Sequence, residues 1–172
     1  MLEEPEPDRA ACVSAVGYYR PDTRFSPETN AARVAAAQQG ATAMPDGHAL
    51  ATDFDRTWRR QYERVVGASP RRVVRTRHGD LMLLGDFLVT RVVELGVHGL
   101  DLAAAIDRAP WLTPQAAGVV AELLVVAGGA EVVGALGWDR LTFIRKATGR
   151  VPLTAAEAEQ VRRLGVRWLA LG

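Results

Sequence analysis

The chain has 172 residues, 48% hydrophobic and 24% charged, the balance of a globular domain rather than a disordered segment. Its 21 Lys and Arg against 20 Asp and Glu leave a formal charge of +1, which argues against a nucleic-acid backbone as the main partner. Cys12 is the one cysteine, so an intramolecular disulfide and a CxxC metal knuckle are excluded, and any metal must take His and carboxylate ligands.

Asp8 is placed to cap a helix running to about Tyr19, which Arg20, Pro21 and Asp22 end. Ser26-Pro27-Glu28 opens a second, Ala-rich helix to about Ala43, and Pro45, Asp46 and Gly47 turn the chain. From Ala49 to Val66, Leu50, Phe54, Trp58, Tyr62 and Val65 recur on one stripe of a third helix, expected to be core-facing. Arg71 to Arg77 is the one β-like segment, a short extended piece or a loop, and one strand cannot make a sheet. A long helix follows from about Leu84 to Asp107, and Thr113-Pro114 opens another to about Ala127, where Gly128-Gly129 breaks it. Short helices are expected at Ala130 to Leu136, Asp139 to Thr148 and Thr154 to Leu164, the last opened by a Thr154/Glu157 capping box. The class is all-α, divided into a bundle over 1–128 and a helical extension over 129–172. Dispersed among apolar neighbours, Trp58, Trp111, Trp138 and Trp168 read as packing residues, and Cys12 as a structural thiol.

No apolar stretch reaches the roughly 20 uncharged residues that a membrane span requires, because Glu122 and Glu131 interrupt Val119 to Val133. The acidic start MLEEPEPDRA reverses the basic-then-apolar order of a signal peptide, so a cytoplasmic location is expected. Lys146 is the sole lysine, and with abundant Ala, Val and Leu this usage points to a high-GC bacterial source.

On a helical wheel of the long helix, Thr90, Arg91, Glu94, His98 and Asp101 gather within roughly 100° while nearly everything else is apolar or small. An apolar arc that wide predicts a central helix whose polar stripe lines something partly enclosed. Glu94 and His98, four apart, can bring a carboxylate oxygen and an imidazole nitrogen to one divalent cation, with Asp101 either a ligand or the acceptor that orients the ring. The same spacing equally describes a solvated ladder of ion pairs among Arg91, Glu94, His98 and Asp101. His48 and His78 read as surface loop residues.

The stretch GDFLVTRVVELGVHGLDLAAAIDRAPWL (85–112), with its E-x-x-x-H followed by G-x-D-L, resembles the metal-binding N-terminal domain of mycothiol-dependent maleylpyruvate isomerases and their DinB-like relatives. VGYYRPDTRFSPETNAARVAA (16–36) and TFIRKATGR (142–150) add to the likeness, which covers most of the chain. The resemblance implies an up-and-down helical bundle of an actinobacterial protein, here incomplete at its N-terminus, holding a divalent metal, usually zinc. Glu94 and His98 would be two of three protein ligands. The third family ligand is a His on the first bundle helix, which this chain lacks, and roughly forty residues after Gly129 read as helices where the family carries a smaller α/β domain. Mycothiol would be the thiol cosubstrate, attacking an activated double bond of a small acidic substrate in a thiol-dependent isomerase or transferase. Arg91 would steer the substrate carboxylate or pair with Glu94, and Asp101 would complete the cofactor-binding set. The alternative is a non-catalytic, degenerate bundle acting as an interaction or structural module, with a homodimer covering its exposed groove.

Overall fold

The computed structural model describes residues 5–20, 26–127, 131 and 134–169. Its elements in chain order are α1 (Ala15–Tyr18), α2 (Pro27–Thr42), α3 (Gly47–Val66), β1 (Val73–Arg75), β2 (Leu81–Leu83), α4 (Leu84–Ala105), α5 (Pro114–Leu124), β3 (Val125–Ala127), α6 (Arg140–Ala147), α7 (Ala155–Arg163) and β4 (Arg167–Trp168). The all-α expectation holds, with two short antiparallel pairs added. No described helix is long and apolar enough to cross a membrane.

Local chemistry starts most of these helices where the sequence predicts. Side-chain oxygens of Ser26, Asp46, Thr113, Asp139 and Thr154 accept the backbone N–H three residues on, satisfying donors that a helix start leaves open. The helix expected from Asp8 shrinks to α1. The Leu81 carbonyl takes the amides of Cys12 (2.9 Å) and Val13 (3.1 Å), holding that segment extended, and Ser14 becomes the cap. Cys12 is exposed.

The β-like segment finds a partner in Leu81–Leu83. Val73 pairs with Leu83 and Arg75 with Leu81, and the chain reverses through Gly79, whose φ of 87° favours a residue without a Cβ. Strand β2 runs directly into α4, whose N-cap Leu83 has no side-chain cap. The helix expected to reach Ala127 ends at Leu124, because Val125–Ala127 pairs with Arg167–Trp168, and Leu169 N–H donates to Leu124 C=O at 2.8 Å. The expected helix at Ala130 to Leu136 and the Gly128-Gly129 break lie largely or wholly outside the described residues.

The core is built on α4, α5 and α6. Val93, Val97 and Leu100 of α4, Val120 and Leu124 of α5, and Phe143 and Ile144 of α6 are buried in one cluster with Tyr18 and Tyr19 of the N-terminal segment and Val166 before β4. Gly96 leaves room for neighbours against α4: a Cβ there would lie 3.2 Å from both Leu112 Cδ1, in the segment before α5, and Val120 Cγ2 of α5. Residues from both 1–128 and 129–169 share this core. Lys146, its side chain 9% exposed, lies over the Trp138 ring and pairs with Glu157 at 2.8 Å, tying α6 to the capping box of α7.

The third helix departs from expectation. Of its stripe, Leu50, Phe54, Trp58 and Tyr62 are exposed and Val65 is half-buried, and α2 and α3 bury no residue completely. Trp58 and Trp111 are correspondingly exposed, whereas Trp138 and Trp168 pack against the core as the sequence suggests.

Two outcomes follow. Phe143→Ala should cost about 3–5 kcal/mol in urea denaturation and Phe54→Ser less than about 0.5 kcal/mol; equal costs would contradict this division of core and surface. The Lys146 ammonium, and then the Thr154 N–H, hold the Glu157 carboxyl below its ordinary range. Its contribution is therefore complete above the unfolded value of about 4.3 and is lost as pH falls through the lower folded value. Glu157→Gln should flatten the acid limb of the melting-temperature profile below about pH 4, and an unchanged limb would contradict the pairing.

Candidate functional site

The polar stripe of α4 lies along the edge of its buried arc. Thr90 is fully buried, while Glu94, His98 and Asp101 face outward, the His98 side chain being 70% exposed. The stripe is thus open to solvent, not partly enclosed as the wheel suggests. The reason is that Leu95, Leu102 and Ile106 of the apolar arc are themselves exposed, so only part of that arc is covered by α5 and the N-terminal segment.

Along the stripe the ring of His98 stands between two carboxylates. Its Nε2 is 3.4 Å from Glu94 Oε2 and its Nδ1 is 3.3 Å from Asp101 Oδ2. Asp101 in turn receives a two-pronged contact from Arg150, Nε to Oδ1 at 2.7 Å and Nη2 to Oδ2 at 2.6 Å. The Arg150 fork, first among the causes, and His98 after it hold the Asp101 carboxyl below its ordinary range.

At the other end of the stripe, Arg91 does not make the expected ion pair with Glu94. Its guanidinium lies over the rings of Phe87 (5.0 Å) and Tyr18 (5.5 Å) and donates to Thr90 Oγ1 at 3.2 and 3.1 Å. Two aromatic faces outcompete a solvated carboxylate for a guanidinium that is itself weakly hydrated. Buried Tyr19 donates its hydroxyl to the Thr90 carbonyl at 3.1 Å. Burial, reinforced by the nearby Glu94 carboxylate, pushes its phenol above the ordinary value, so it stays a neutral donor beside the site.

Two ligands on a tetrahedral zinc ion, each about 2.0–2.2 Å from the metal, sit roughly 3.3–3.5 Å apart. The 3.4 Å between Glu94 Oε2 and His98 Nε2 matches that edge, so the pair fits two corners of such a site. A third donor does not join them: no group of three His, Cys, Asp or Glu residues able to hold a metal occurs among the described residues. Asp101 is at the opposite ring nitrogen, in the position of the acceptor that orients a ligating imidazole. His48 is exposed at the start of α3, and His78 lies beside Tyr18 in the β1–β2 turn. On the neighbouring face of α4 an apolar cleft of about 330 Å³ is lined by Phe54, Leu95, Gly99, Trp111 and Leu112 among others, and the polar stripe does not line it.

Sequence reasoning missed Arg150 and Tyr19. Arg150 is 49 residues from Asp101, beyond any helical spacing, though it closes the TFIRKATGR segment; Tyr19 sits in an aromatic pair that reads as a helix end.

A family model described as mycothiol maleylpyruvate isomerase N-terminal domain matches residues 7–103, more than half of the chain. No curated protein and no solved structure matches.

If the Tyr19 hydroxyl is bonded as described, Tyr19→Phe should cost about 0.5–1.5 kcal/mol by urea denaturation. A cost indistinguishable from zero would contradict that bond.

Proposed function

We propose a function on one premise, that the chain belongs to the mycothiol maleylpyruvate isomerase N-terminal domain family. The proposal is metal-assisted, thiol-dependent isomerase or transferase chemistry on a small acidic substrate. Glu94 and His98 would hold a divalent cation, zinc by preference for a mixed carboxylate and imidazole set. The observation that carries this reading is the 3.4 Å separation of Glu94 Oε2 and His98 Nε2 on an accessible face. Bound zinc would lower the pKa of a coordinated thiol such as mycothiol and so supply a nucleophile at neutral pH. With the proton on Nδ1, Asp101 would accept from His98 and leave the Nε2 lone pair for the cation. Arg91, which no carboxylate pairs among the described residues, offers its guanidinium to the carboxylate of the substrate at the near end of the stripe. An actinobacterial source and a cytoplasmic setting, where small thiols are kept reduced, belong to the same proposal.

A second reading, a non-catalytic helical module, is favoured by the exposed apolar surface. Leu50, Phe54, Trp58 and Tyr62 of α3 are exposed, and Phe54 lines one apolar cleft with Leu95 and Trp111, surface of the kind that partners cover. Its occupant would be a second copy of the chain, and sedimentation velocity reads the outcome: a dimer dispersed by Phe54→Ser supports this reading, a monomer removes it.

The direct test of the leading proposal is elemental analysis of untagged protein. Near-stoichiometric zinc in the wild type, lost in Glu94→Ala and in His98→Ala, is the expected result. Metal-free wild type from zinc-supplemented medium would overturn it.

A further inference from the structure

Helix α3 carries 20 residues and buries none of them, although most helical stability in proteins comes from packing an apolar face. At four-residue spacing Leu50, Phe54, Trp58 and Tyr62 form one exposed apolar row. Asp55, Arg59 and Glu63 flank it on one side, and Asp53, Thr57 and Gln61 on the other. The centre of the row is already held in place within the chain. Asp55 accepts from Trp58 Nε1 at 3.0 Å and from Arg59 Nε at 2.8 Å, the Arg59 guanidinium lies 5.1 Å from the Trp58 ring centre, and Tyr62 meets that ring edge to face. Exposed aromatic residues bordered by arginine have the composition of interface hot spots. Phe54 also walls the apolar cleft, so a ridge and a hollow share one face, as a self-complementary interface requires.

The charges choose the occupant and its register. When two copies of a helix pair antiparallel about a two-fold axis, like rows face each other, so each flank must complement itself read backwards. With the axis at Thr57, Asp55 of each copy faces Arg59 of the other, closing a ring of two aspartates and two arginines, and Asp53 faces Gln61 of the second copy. Trp58 and Tyr62 of the second copy then bracket Phe54, beside the cleft. A slip of one turn would instead set Asp55 against Glu63 and Arg59 against Arg59. A membrane surface is the poorer occupant, because α3 balances four arginines with three carboxylates and keeps little charge to draw it to anionic lipid.

We propose that α3 is the centre of a homodimer, paired antiparallel with α3 of a second copy about a two-fold axis at Thr57. The inference rests on the second reading above, that a copy of the chain covers the exposed apolar surface, and it adds which helix pairs, in which direction and in which register.

Sedimentation velocity of the full chain at low salt should find a dimer. Asp55→Arg and Arg59→Asp should each raise its Kd about tenfold or more, since each reversal sets like charges together and the two-fold axis repeats the loss. Mixing the two variants should restore the dimer, because each reversed charge then meets its opposite on the other variant, and this recovery shows that both are folded. A dimer dispersed by Phe54→Ser but weakened by neither reversal, or reversals that do not rescue each other, would overturn the register while the second reading stands. A chain that stays monomeric at high micromolar concentration would overturn both, as would a monomer that sediments with phosphatidylserine vesicles.

Discussion

The close seating of α4 on α5 fixes everything downstream of it. Gly96 removes the side chain that would stand between the helices, so Leu112 and Val120 come to rest against the α4 backbone, and Val93, Val97 and Leu100 fill the same seam. With α5 in that place, α6 packs against it through Phe143 and Ile144, and the turn after α6 arrives where Arg150 reaches Asp101. A helix whose inner arc is held this firmly keeps its outer edge in register. For this reason Glu94, His98 and Asp101, spaced three and four apart, stand as a fixed row although each is partly or largely solvent-exposed.

The electrostatics of that row follow from where its charges are compensated. Asp101 is neutralised from outside the helix by Arg150, which stabilises its charged form, whereas Glu94 has the neighbouring ring of His98 and the neutral hydroxyl of Tyr19 nearby. Arg91 is withdrawn to the aromatic faces of Phe87 and Tyr18. Among the described residues no arginine pairs with Glu94, the carboxylate beside the His98 Nε2. An ion-pair ladder read from spacing alone describes His98 with its two neighbours, but it does not anticipate the fork of Arg150 or the detour of Arg91.

Helix starts were legible because they are local: Ser26, Thr113, Asp139 and Thr154 each act on an amide three residues away, and the extent of α4 follows from its periodicity. Of the strands only Arg71 to Arg77 was legible as extended, because the others take that state from the segments they pair with. Arg71 to Arg77 needs Leu81–Leu83, an apolar run that reads as the approach to a helix, and Val125–Ala127 needs Arg167–Trp168 some forty residues on. Competition for backbone donors shortened the first helix, since the Leu81 carbonyl captured two of its amides. In the site, the helical spacing of Glu94, His98 and Asp101 could be read directly, whereas Arg150 and Tyr19 enter through tertiary packing. The apolar stripe of α3 shows the converse: periodicity says which residues share a face, and only the assembled fold says whether that face is covered.

The central proposal is that Glu94 and His98 would hold one cation on a solvent-facing edge of a buried helix. Anomalous diffraction from crystals soaked in zinc, recorded on either side of the metal absorption edge, tests it most directly. The account predicts a peak within bonding distance of Glu94 Oε2 and His98 Nε2, with Asp101 still at the His98 Nδ1. A peak elsewhere with none between these two side chains would contradict it.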